Sequence, residues 1–116
     1  MEKVINLTKF KPTSELESFG VSNLRDWRAF QEIRNLLFFP NPPTREQIDQ
    51  RVERLVQIAV AESERTGATT VLVGCPPWMM QKLCAELIYF NLKPVVVFTK
   101  KTMEEGLVVV SLVDAA

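Results

Sequence analysis

The chain has 116 residues, with 14 Lys+Arg balanced by 14 Asp+Glu, so its formal net charge at pH 7 is zero and no long nucleic acid is expected as a partner on charge alone. Hydrophobic residues make up 47% and charged residues 24%, a balance that excludes a disordered chain and fits one α/β domain over residues 1–116. No run of about 18 apolar residues predicts a membrane span, and the opening MEKVINLTKF has no apolar signal core, so a cytoplasmic location is expected.

Val4-Ile5-Asn6-Leu7 reads as a short strand. Ser14-Glu15-Leu16-Glu17 has the spacing of a capping box, which predicts a turn or two of helix stopped by Gly20. A helix is expected from Ser22 to Phe39, with Leu24, Trp27, Ile33 and Leu37 on one face. Pro40-Asn41-Pro42-Pro43 divides it from a second long helix. There Thr44 and Gln47 form a capping box, Ile48, Val52, Leu55, Val56, Ala59 and Val60 follow the helical repeat, and Gly67 is the stop.

Thr69 to Gly74 is a β-branched run and reads as a buried strand ended by Pro76-Pro77. Proline suits a helix's first turn, where its missing N–H is not needed, so a helix is expected from Trp78 to Asn91. Pro94 to Thr99 is the next strand, and Gly106 turns the chain into a last one, Leu107 to Val113. Strand, helix and strand within about thirty residues imply a right-handed parallel crossover. The short connection at Gly106 implies an antiparallel final strand. The expected fold is therefore α/β: a small, mostly parallel, Rossmann-like sheet flanked by helices, with a C-terminal antiparallel strand.

In open sheets of this kind ligands bind beyond the carboxyl ends of the strands. That rule selects Thr8–Ser14, Gly74–Trp78 and Thr99–Thr102. Lys9, Lys11, Lys100 and Lys101, with Thr8, Ser14, Thr99 and Thr102, could ring a phosphate-bearing ligand. Gly74, Cys75 and Trp78 lead into a helix N-terminus, where N–H groups favour anions, although the two prolines remove donors. The segment is neither a dinucleotide fingerprint nor a P-loop, and no cofactor is expected.

Histidine is absent and the cysteines are two, Cys75 and Cys84. The usual general base and the commonest zinc ligand are thus missing, and no metal is expected. Cys75 stands before a helix start, where a thiol can be acidified, yet it has no histidine partner to make it a nucleophile. Trp27, Phe38, Phe39 and Trp78 are the alternative: an apolar docking surface of a non-enzymatic interaction domain.

Val4-Ile5-Asn6-Leu7-Thr8 followed by Pro12-Thr13-Ser14-Glu15-Leu16 resembles the opening of small CRISPR-associated Rossmann-like proteins of the ring-nuclease type. Val71-Leu72-Val73-Gly74-Cys75-Pro76-Pro77 and Pro94-Val95-Val96-Val97 resemble their later strand, proline pair, helix and strand. Related openings often place a histidine before the proline, where this chain has Phe10-Lys11. The resemblance covers about half the chain and extends to small bacterial and phage α/β proteins. It implies a homodimer with a cyclic oligoadenylate at the two-fold interface, either bound or cleaved by attack of the ligand's own 2′-hydroxyl.

Overall fold

The structure is a computed structural model and describes residues 2–116. In chain order the elements are β1 (Val4–Leu7), α1 (Ser14–Ser18), β2 (Val21–Ser22), α2 (Trp27–Leu36), α3 (Arg45–Thr66), β3 (Thr70–Val73), α4 (Pro77–Tyr89), β4 (Lys93–Thr102) and β5 (Gly106–Asp114). They build one five-stranded mixed sheet, ordered β2-β1-β3-β4-β5. The first four strands are parallel, with Val4 opposite Val21 and Thr70, and Thr70 opposite Lys93. β5 runs antiparallel to β4. The expected α/β fold, its parallel core and its antiparallel last strand are thus present, and β1 joins the same sheet.

Alternating side chains divide the strands between two layers. Ile5, Leu7, Val71 and Val73 pack with Ile33 of α2, Val52, Leu55 and Ala59 of α3, and Met79, Leu83 and Leu87 of α4. On the opposite face Val4, Val21, Leu72 and Val95 meet Leu16 of α1, Val97 and Leu112. Right-handed crossovers account for this division. The chain leaves β1 outward to β2 and then returns past β1 to β3 and β4, so α1 falls on one face and α2, α3 and α4 on the other.

The helix boundaries refine the expectations. Thr13, not Ser14, caps α1: its hydroxyl accepts from the Leu16 N–H. The helix expected over residues 22–39 begins only at Trp27, capped by Asp26, whose carboxylate accepts from the Arg28 N–H. Its first residue, Ser22, instead ends β2, which pairs with β1 once Gly20 has turned the chain at φ 91°. A two-residue strand exists through its long-range partner, and no local periodicity encodes it. The Thr44–Gln47 capping box and the left-handed Gly67 stop are both present in α3.

β4 is longer than expected. Beyond Val97 it continues with β5 as a two-stranded arm, to a turn closed by Thr102 and Gly106. Phe98 is 52% and Leu107 69% exposed, and Met103 at the turn is fully exposed. The pairing shifts between Phe98 and Thr99, leaving Val110 as a bulge. There the Val109 N–H donates to Glu15 at 2.8 Å, tying α1 to the base of the arm.

Candidate ligand-binding site

In a sheet ordered β2-β1-β3-β4-β5, the crossovers diverge at the carboxyl ends of β1 and β3, and that divergence opens a crevice. Leu7 is level with Val73, so Thr8 and Gly74 stand side by side there. Gly74 makes the close approach possible: a Cβ at this position would lie 3.1 Å from Thr8 Cγ2.

The loop after β1 is fixed by a buried amide. Asn6 is 1% exposed, in the middle of the sheet. Its Nδ2 donates to the Phe10 carbonyl at 2.8 Å. Its Oδ1 accepts from the Thr8 N–H at 3.2 Å and from the Thr8 hydroxyl at 2.7 Å. The Phe10 N–H donates to Thr8 Oγ1 at 3.3 Å. Residues 8–10 are thereby folded into a tight turn that projects Lys9 and Phe10, with the Lys9 ammonium 5.3 Å from the centre of the Phe10 ring.

Facing this turn is the C-terminal half of α2. Lys9, Phe10, Gln31, Arg34, Asn35 and Phe38 line a cavity of about 450 Å³. Gln31, Arg34 and Asn35 lie on one face of the helix by their three- and four-residue spacing. A helix C-terminus is normally an electronegative end. Here Arg51 of α3 donates to the Asn35, Leu36 and Phe38 carbonyls. Its guanidinium also lies 4.1 Å from the centre of the Phe39 ring. The dipole that would repel an anion is therefore compensated, and Lys9 and Arg34 give the cavity a positive balance.

A larger groove, of about 570 Å³, runs between α3 and α4 on the outside of the helical layer. Asp49, Glu53, Glu64 and Glu86 line it against a single cation, Lys82. Its sign is wrong for a phosphate, and it lies away from the strand ends.

The residues singled out in the sequence fall into three groups. Thr8 and Lys9 are at the crevice, but the Thr8 hydroxyl is occupied inside the loop; Lys11 is exposed on the way to α1 and Ser14 is exposed at its first position. Gly74, Cys75 and Trp78 form the β3–α4 turn, where Trp78 meets Phe39 edge-on with ring centres 5.6 Å apart. Pro76 caps α4 without a side-chain hydrogen bond, and the Met79 N–H donates back to the Pro76 carbonyl, so this helix start offers few donors. Thr99, Lys100 and Lys101 are on the arm. The β3–β4 register puts Val97 level with Gly74, so the two lysines stand about 10 and 13 Å further along the strand.

The Cys75 thiol is not acidified by the helix start. Burial, and then the neighbouring Cys84 thiol, push it up to about 11, and burial also raises Cys84. The protonated thiol is thereby favoured at neutral pH, which weighs against a nucleophile at Cys75. Of the four aromatics offered as a docking surface, Trp27 is 68%, Phe38 64% and Trp78 48% exposed, whereas Phe39 packs against the core.

Phe38 was singled out only as part of an apolar docking surface, and Gln31, Arg34 and Asn35 were not marked by the sequence. They lie more than twenty residues from Lys9 and read as the solvated side of an amphipathic helix. The one available signal was the pair of amides beside an arginine on a single helical stripe. Compared with protein-family models, curated proteins and solved structures, the chain matches none. Among the described residues no helix is long and apolar enough to cross a membrane.

Proposed function

We propose that the chain is a Rossmann-like nucleotide-binding protein that takes a phosphate-bearing, ring-containing ligand at the carboxyl end of β1. The observation that carries this reading is the cavity between the Asn6-pinned turn and α2, which combines two cations, two amides and two exposed aromatic rings. Lys9 and Arg34 pair the phosphate. Phe10 and Phe38, 68% and 64% exposed, offer faces on which a base stacks. Gln31 and Asn35 donate to and accept from its edge. Lys11 adds charge at the rim.

The sequence resemblance suggests a cyclic oligoadenylate as the ligand, held between two copies. Cleavage then needs no base from the chain. The ligand's 2′-oxygen bonds to the adjacent phosphorus and the 5′-oxygen leaves with the proton, giving a 2′,3′-cyclic phosphate. The protein's part is orientation and charge stabilisation.

Thermal stabilisation by a panel of mononucleotides and of linear and cyclic oligoadenylates tests the reading, since a ligand of the native state raises stability by mass action. A shift with one member, lost in Arg34→Ala and in Phe38→Ala, is expected. Absence of any shift, or unchanged binding in both variants, rejects it. A cleavage assay on the member that binds separates a nuclease from a binding protein.

A second reading is an interaction domain, and β5 favours it. Gly-Leu-Val-Val-Val-Ser-Leu-Val-Asp is the outer strand of the sheet. It holds no proline or lysine to discourage pairing, and such an edge recruits another strand. A concentration-dependent mass in solution that Val110→Lys returns to the monomer supports this reading; a monomer at every concentration rejects it.

A further inference from the structure

We propose that Cys75, Met80 and Cys84 form a three-sulfur site for a soft monovalent metal ion, Cu(I) being the physiological candidate. Cys75 precedes the cap of α4, and Met80 lies in the first turns of that helix. This is the spacing at which a residue before a helix packs back onto its fourth position. Cys84 follows Met80 by four residues and so shares its face. The Cys75 Sγ is 4.0 Å and the Cys84 Sγ 3.7 Å from Met80 Sδ.

Metal–thiolate bonds are about 2.3 Å long. Three sulfurs in a plane around one ion therefore stand about 4 Å apart, which is the spacing already present on both sides of Met80. Both cysteines are free thiols; Cys84 is buried and Cys75 half-buried, so the cluster is sheltered yet open on one side. Among the described residues no three His, Cys, Asp or Glu side chains are grouped so as to hold a metal ion, so any site here depends on the thioether. The cluster offers only thiol and thioether sulfur, the donor set that selects Cu(I) over harder divalent ions.

Binding converts two thiols to thiolates and releases two protons. The ion keeps its oxidation state and accepts two thiolates and one thioether, leaving a net charge of −1. Because two thiol protons are displaced, affinity rises with pH, by about a hundredfold per unit while the free site holds both.

The full chain, reduced and anaerobic, is titrated with Cu(I) against a chromophoric Cu(I) chelator, with thiol alkylation and X-ray absorption as further readouts. One ion per chain, both thiols protected together and three sulfurs at about 2.3 Å are expected. Met80→Leu, close in volume, should keep the fold by circular dichroism, bind at least tenfold more weakly and show two sulfurs. Cys75→Ser should leave no tight site. Two ions per chain, an affinity and sulfur count unchanged in Met80→Leu, or no competition with the chelator at pH 8 each overturns the proposal.

Discussion

Replacing Asn6 by alanine tests whether one buried amide holds the candidate site together. Three hydrogen bonds are lost, to Thr8 N, Thr8 Oγ1 and the Phe10 carbonyl. Each contributes about 1 kcal/mol net. Thr8 is half-buried and Phe10 exposed, so water replaces the missing partners and no full desolvation cost is added. The small void at a 1%-exposed position adds less than 1 kcal/mol. The sum is about 3 kcal/mol. With an unfolding entropy of about 2.1 cal/mol/K per residue, that lowers Tm by about 12 °C. With an m-value of about 1.5 kcal/mol/M, the urea midpoint falls by about 2 M. Asn6→Asp discriminates further. At pH 7 its carboxylate sets an acceptor against the Phe10 carbonyl oxygen, where the amide donated, so it is less stable than Asn6→Ala. It recovers at low pH, where the protonated acid donates as the amide did. A loss below about 1 kcal/mol for Asn6→Ala refutes the reasoning, because the turn would then be held by something else.

Four further outcomes follow from the same structure. Gly74→Ala brings a methyl to 3.1 Å from Thr8 Cγ2; the crowding costs about 1 kcal/mol and is relieved in Thr8→Ser, so a double-mutant cycle by urea unfolding should show coupling of about that size. With Cys75 at about 11 against an ordinary 9.0, its alkylation at pH 7 should be about a hundredfold slower than that of an exposed thiol and rise tenfold per pH unit. Because the folded value is the raised one, stability is kept below pH 9 and falls between pH 9 and 11, a slope that Cys75→Ala should reduce. Arg51→Met, which keeps the chain's bulk but removes the donors to three α2 carbonyls, should cost about 1–2 kcal/mol in thermal unfolding, and Arg51→Lys should restore only part of it.

Much of the fold was legible because its signals are local. The Thr44–Gln47 box, the proline pair before α4 and the β-branched runs of β3 and β4 each name their own element. What stayed hidden depends on residues far apart in the chain. β2 exists because Val21 finds Val4. The arm exists because β4 and β5 keep pairing past the point where the helices stop covering them. The strand-end rule led to Lys9 and Thr8, but not to the cavity's other wall. Gln31, Arg34 and Asn35 became site candidates only because the fold sets them opposite Lys9 and Phe10 of the turn after β1. Asn6 was visible as a lone polar residue in an apolar strand, and its role lay in the turn that it holds.

The strand order also sets a sequence of events in folding. The β4–β5 pairing closes across a three-residue tip between Thr102 and Gly106. The β1–β3 pairing joins Val4 to Thr70, across more than sixty residues. Loop-closure entropy makes the second contact dearer by about 2.5 kcal/mol. The C-terminal half, with its hairpin and β3–α4–β4 crossover, therefore gains structure first. β1 joins β3 last, with β2 paired to its outer side, and their arrival completes the sheet and the crevice together. Mutations in β1 should then speed unfolding more than they slow folding, whereas mutations in the β4–β5 hairpin should do the reverse.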